Sequence, residues 1–176
     1  MRKIVFLLIT VVALAGCKKL DKLTQFDMKF DTSVDIPSTV GINLPFNILT
    51  PDITTNSESS FESNDTRKDL IEKITLKTME MTVSKPAGED FSFLKSIEIT
   101  IKADGLDDKK IAWLNDIPDN AGSTITLETT PDDLKEYIKK DSYKLDVETT
   151  TDEILTQDYT IDIHNVFFVD AKILGI

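Results

Sequence analysis

Residues 26–36 read FDMKFDTSVDI, and this stretch decides the fold. Phe26, Met28, Phe30, Thr32, Val34 and Ile36 alternate with Asp27, Lys29, Asp31, Ser33 and Asp35. Successive side chains of a strand point to opposite faces, so the segment predicts a strand with one face on a core and one in water.

Working outward, Pro37 interrupts the pattern, and it resumes at Val40, Ile42, Leu44, Phe46 and Ile48. Pro45 falls on the outward side of this second run, which argues for an edge strand or a bulge because proline cannot donate to a ladder. Residues 50–66, TPDITTNSESSFESNDT, are polar and read as a loop. Arg67 to Glu72 suits a helical turn. In KITLKTMEMTVS, Ile74 and Leu76 share one phase while Met79, Met81 and Val83 share the other, so a bulge is expected near Thr78.

Lys85 to Asp90 reads as a turn, with Asp90 placed to cap a helical turn through Phe93 and Leu94. Ile97, Ile99 and Ile101 mark a strand that ADGLDDKK connects, hairpin-like, to KIAWLN. DIPDNAGS is a loop before a strand with Ile125 and Leu127. TPDDLKEYIKK is the one clear helix: Thr130 is placed to cap it, Pro131 fits its first position, and Asp132 and Asp133 fill its first turn. Leu134, Tyr137 and Ile138 form its apolar face. Two strands follow, YKLDVET and QDYTIDIHNVFFVDAKI, the second expected to change phase around His164 and Asn165.

Eight or nine strands with turn signals about every ten residues predict an all-β, antiparallel β-sandwich. It is immunoglobulin-like in the broad sense, with one short helix near 131–140. One domain, 24–176, is expected, and a chain of this length buries roughly 70 % of its unfolded surface. No Cys–Trp–Cys core pattern is present, so an antibody-type domain is not expected.

The chain opens MRKIVFLLITVVALAGCKK. Arg2 and Lys3 are basic, and Ile4 to Ala15 carries no charge. Twelve residues at about 1.5 Å each reach about 18 Å, too short for a span needing about 20 residues and suited to a signal-peptide core. The only cysteine, Cys17, ends the run. Leu14-Ala15-Gly16-Cys17 resembles the lipobox of bacterial lipoproteins. That resemblance implies a diacylglycerol on the Cys17 thiol and cleavage by signal peptidase II between Gly16 and Cys17. Residues 1–16 would then be removed and 17–23 would form a lipidated tether. Two or more acyl chains anchor a protein stably. Lys18 and Lys19 follow the cysteine with no Asp beside it, which in that family points to the outer membrane, on its periplasmic side or the cell surface.

There are 31 acidic and 20 basic residues, and loss of Arg2 and Lys3 takes the formal net charge from −11 to about −13. No basic stripe offsets this, which argues against nucleic acid and against charge-driven adsorption to anionic lipid. The membrane is therefore expected as a partner only through the lipid.

Signals for chemistry are sparse. His164 is the only histidine, with Asp162 on the same strand face and no serine-nucleophile motif beside it, so a surface ion pair is expected. One histidine and an acylated cysteine cannot make a usual zinc site. Asp104, Asp107 and Asp108, and Asp116, Asp119 and Asn120, form acidic loops without EF-hand spacing. The intervening strand sets them roughly 20 Å apart. Trp113, in a strand apolar on both faces, is expected in the core; the competing reading has it exposed to stack on a sugar, helped by Tyr143 or Tyr159. Glu128 and Asp146 have no fixed separation that would mark a glycosidase pair. Asn64-Asp65-Thr66 is a glycosylation sequon that a bacterial lipoprotein has no use for. No cofactor, metal or catalytic residue is expected. The expectation is a non-enzymatic, anchored binding, adhesion or assembly module with a protein or glycan partner in the envelope. The alternatives are a glycan-active enzyme or accessory domain and a purely structural lipoprotein.

Overall fold

The structure is a computed structural model and describes residues 25–39, 43 and 45–172. Gly16, Cys17 and the tether lie outside the described residues. The chain forms an all-β sandwich of two antiparallel sheets. The first has the order β1-β10-β4-β7, from β1 (Gln25–Ile36), β10 (Tyr159–Ala171), β4 (Ile71–Lys85) and β7 (Thr124–Thr126). The second has the order β2-β9-β5-β6-β8, from β2 (Pro45–Leu49), β9 (Ser142–Thr151), β5 (Leu94–Lys102), β6 (Lys109–Leu114) and β8 (Glu128–Thr129). The short β3 (Ile53–Thr54) also pairs with β9.

β1 follows the alternation of its sequence. Met28, Phe30, Val34 and Ile36 are buried, and Asp27, Lys29, Asp31, Ser33 and Asp35 are exposed. Phe30 lies 5.7 Å from Tyr143 and 5.8 Å from Phe167, ring centre to ring centre and edge-on, joining the two sheets. Full burial of each such ring contributes about 1.5–3 kcal/mol. Burial pushes the Tyr143 phenol well up, against a smaller opposite pull from the Asn165 amide.

The phase flip in β4 arises as expected. Val166 pairs with Thr78 and Phe167 with Leu76, so Lys77 is the extra residue of a bulge. Glu72 and Ser84 are skipped in the same way. The expected flip within β10 is absent: odd residues from Tyr159 to Ala171 face the core throughout, in unbroken register with β1. Asn165 is therefore fully buried, while Val166 and Phe168 pack on the outer face, and their apolar character imitates a change of phase.

Two further expectations are corrected. The segment 50–66 is not all loop: it holds β3 and α1 (Ser57–Glu62), whose Phe61 is fully buried beside Phe26. The helix near 131–140 is shorter than its pattern, only α2 (Lys135–Ile138). Thr130 and the Asp pair before it stay outside the helix, because Asp133 Oδ1 accepts from the backbone N–H of Ile74 as well as Lys135, and the N–H of Leu134 donates to the Ile74 carbonyl. Tertiary hydrogen bonds to β4 take the residues that would have begun the helix. The turn at Lys68–Leu70 and the Asp90 carboxylate accepting from the Ser92 N–H match the sequence reading.

Candidate functional site

The feature most able to bind a partner is an edge. β1 pairs with β10 along all twelve residues, and among the described residues no strand flanks its other side. Among the described residues no backbone group hydrogen-bonds along that side. Other borders are short or covered. β2 begins at Pro45 and has 5 residues, β7 has 3 and β8 has 2. The outer edge of β4 beyond β7 is covered by the Leu127 N–H on the Met79 carbonyl and by the Leu134–Ile74 and Lys135–Glu72 contacts.

Beside β1 runs a groove of about 530 Å³. The seven consecutive residues Phe26 to Thr32 form one wall and Asp52 to Asn56 the other, with Ser60, Ser63 and Asn64 at the α1 end. The sequon asparagine thus lies in this groove, its side chain donating to the Ser60 carbonyl. Asp27 is paired with Lys77 at 2.7 Å and Asp52 with Lys144 at 3.6 Å. Lys29 forms no ion pair among the described residues. The strand was legible in the sequence, but its place at a border was not, since strand order is set by pairings far apart in the chain.

Trp113 contradicts its expected place in the core. Ile99 pairs with Ala112 and Thr100 with Lys110, which leaves Ile111 as a bulge. Ile111 and Ala112 are both buried, and the parity after them is reversed, so Trp113 is half-buried on the outer face. Its Nε1 donates to Glu128 Oε2 at 2.9 Å, and Lys110 Nζ, held by Glu98 at 3.1 Å, sits 5.5 Å from the ring centre. Cross-strand pairing sets Asn47, Glu148, Glu98, Trp113 and Glu128 in one row. Tyr143 and Tyr159 do not join it, being buried between the sheets.

Asp146 is bound by Lys102 at 2.9 Å and lies on β9, three strand spacings across and two residues along from Glu128 on β8, about 16 Å in all. That exceeds the roughly 5–9.5 Å separations of glycosidase carboxyl pairs. His164 stands on the outer face of the other sheet with Asp162, as its sequence position implied. Its hydrogen-bonding partner is Asp31, directly opposite on β1, with Glu80 opposite on β4. No hydroxyl or thiol hydrogen-bonds His164 among the described residues. The loops 104–108 and 116–120 lie at opposite ends of β6, and Asp108 is engaged by Lys102 at 2.9 Å.

No family model matches the chain, and no curated protein matches it. Among solved structures it is similar to FLHE at 6 % identity and a TM-score of 0.37, covering 84 % of this chain and 97 % of that one. It is also similar to the BFDV capsid protein at 10 % identity and a TM-score of 0.37, covering 84 % and 99 %. A third is the turnip yellow mosaic virus empty head, at 12 % identity and a TM-score of 0.30, covering 86 % and 82 %.

Proposed function

We propose that the chain is a lipid-anchored lipoprotein of a bacterial cell envelope. Its sandwich serves as a non-enzymatic binding module that accepts an extended polypeptide strand along the free edge of β1. The observation that carries this reading is the twelve-residue unpaired edge beside a groove walled on its far side by Asp52 to Asn56. Strand addition uses an exposed ladder of N–H and C=O groups for affinity and alternate side chains for selectivity. Anchorage, with the outer membrane as its site, is supported by Leu14-Ala15-Gly16-Cys17 and by Lys18 and Lys19 after it.

A photo-crosslinking residue at Ser33 should give a discrete adduct in intact cells, and one at Glu136, away from the edge, should not. Loss of every adduct from Ser33 would leave a purely structural lipoprotein. Cys17→Ser should abolish palmitate labelling and release the protein from the membrane fraction; unchanged labelling would remove the anchor.

A second reading is favoured by the placement of Trp113. An aromatic ring on an open sheet face, flanked by Glu98 and Glu128 as hydrogen-bond acceptors, suits a carbohydrate ring. Calorimetric titration with cell-wall glycan fragments should show saturable heat that Trp113→Ala abolishes. Titrations without heat would dismiss it.

A further inference from the structure

We infer that the strand received by the free edge of β1 is the β1 strand of a second copy, paired antiparallel about a two-fold axis through Phe30. This rests on the reading of that edge as the binding surface. Exposed sheet edges are normally blunted by brevity, proline, a bulge, an inward-facing charge, charged side chains on the edge or a covering loop. β1 has only its outward charges and the segment Asp52 to Asn56 across the groove: it runs twelve residues without proline, keeps unbroken register with β10, and turns only Phe26, Met28, Phe30, Thr32, Val34 and Ile36 inward.

Its outward charges discriminate sharply between ways of pairing with itself. Same-type contacts between identical copies require a two-fold axis, hence antiparallel strands. Sheet continuity requires inward residues to face inward residues. A twelve-residue strand then has two registers of fullest overlap, with the axis at Phe30 or at Asp31. With the axis at Asp31, Asp31 faces its own equivalent and Asp27 faces Asp35 twice, all like charges. With the axis at Phe30, Lys29 of each copy faces Asp31 of the other, Asp27 faces Ser33, and Gln25 faces Asp35. A further slip, with Lys29 on the axis, sets lysine on lysine and Asp27 on Asp31. Opposite charges directly across a strand pair favour a register and like charges disfavour it. Only the Phe30 register among these three is free of like-charge contacts, and it gives Lys29 an ion-pair partner that it lacks among the described residues. Confinement of both copies to one bilayer raises their effective concentration and offsets the repulsion of two acidic bodies.

The test uses the full chain, extracted from membranes in detergent, with a nitroxide on Ser33→Cys. Mass spectrometry showing one label per copy reports separately that Cys17 is blocked. In the Phe30 register Ser33 of one copy lies opposite Asp27 of the other, so the two Ser33 positions are six residues apart, about 20 Å. Pulsed electron resonance should give that distance. Lys29→Asp should abolish it without touching the Asp31–His164 pair, and combining Lys29→Asp with Asp31→Lys should restore it. Absence of an inter-copy distance, or indifference to the charge exchange, overturns the proposal. If crosslinks from Ser33 land on a different protein, self-pairing falls while strand binding stands; if none form, both fall.

Discussion

Trp113 and Glu128 face each other across β6 and β8, the indole N–H donating to the carboxylate at 2.9 Å on the outside of the sandwich. Trp113 is the only tryptophan, so its fluorescence reports this one place. Neutral acrylamide should quench it. Iodide should quench it less, because Glu98, Glu128 and Glu148 in its row outnumber the Lys110 ammonium over its ring. Glu128→Gln should raise the iodide effect. An emission insensitive to acrylamide would place the ring inside after all.

Asp133 ties α2 to β4. Burial alone would raise its pKa, but the N–H groups of Ile74 and Lys135, with the Lys135 ammonium, outweigh it and hold the carboxyl below the usual range. A depressed folded value contributes stability above the unfolded pKa of about 4, and that stability is lost as the pH falls through the folded value. Asp133→Ala leaves the N–H of fully buried Ile74 without its acceptor and should cost about 1–3 kcal/mol in urea unfolding at neutral pH. The difference from the parent chain should shrink in strong acid; a constant difference would contradict the charge-dependent part.

The Tyr159 hydroxyl donates to Glu89 at 3.0 Å. Burial first, and then the Glu89 carboxylate, push its pKa up to about 12 from 10.0. A raised folded value gives stability fully present below the unfolded pKa and lost as the pH climbs through the folded one. The parent chain should therefore lose stability between about 10 and 12, and Tyr159→Phe should lose less of it there. A phenolate absorbance titration of Tyr159 centred near 10 would refute this.

Phe167 is fully buried against Phe30 and Tyr143. Phe167→Ala removes the ring that joins the layers and should cost about 3–5 kcal/mol. Phe168→Ala, on the half-buried outer side of the same strand, should cost less. Equal losses would mean that the parity of β10 is misassigned.

Local pattern carried much of this fold. The alternation of residues 26–36 gave β1 its correct faces, and the switch from Leu76 to Met79 located the Lys77 bulge within a residue. Where pattern misled, a long-range partner or a bulge was responsible. Ile111 bulges and turns Trp113 outward, Ile74 captures Asp133 and shortens a helix, and apolar Val166 and Phe168 cover an outer face. The free edge of β1 was hidden for the same reason: a strand's neighbours lie on β10, more than a hundred residues away, and its lack of a second neighbour has no local signature.

The run from Thr124 to Thr129 leaves one layer and joins the other at Leu127, stitching that flank shut. On the opposite flank the chain also crosses between the layers, from β1 to β2, but among the described residues these two strands do not pair. Amide exchange should be faster at the outward N–H groups of β1, which have no backbone partner among the described residues, than along β10 at the centre of the same sheet.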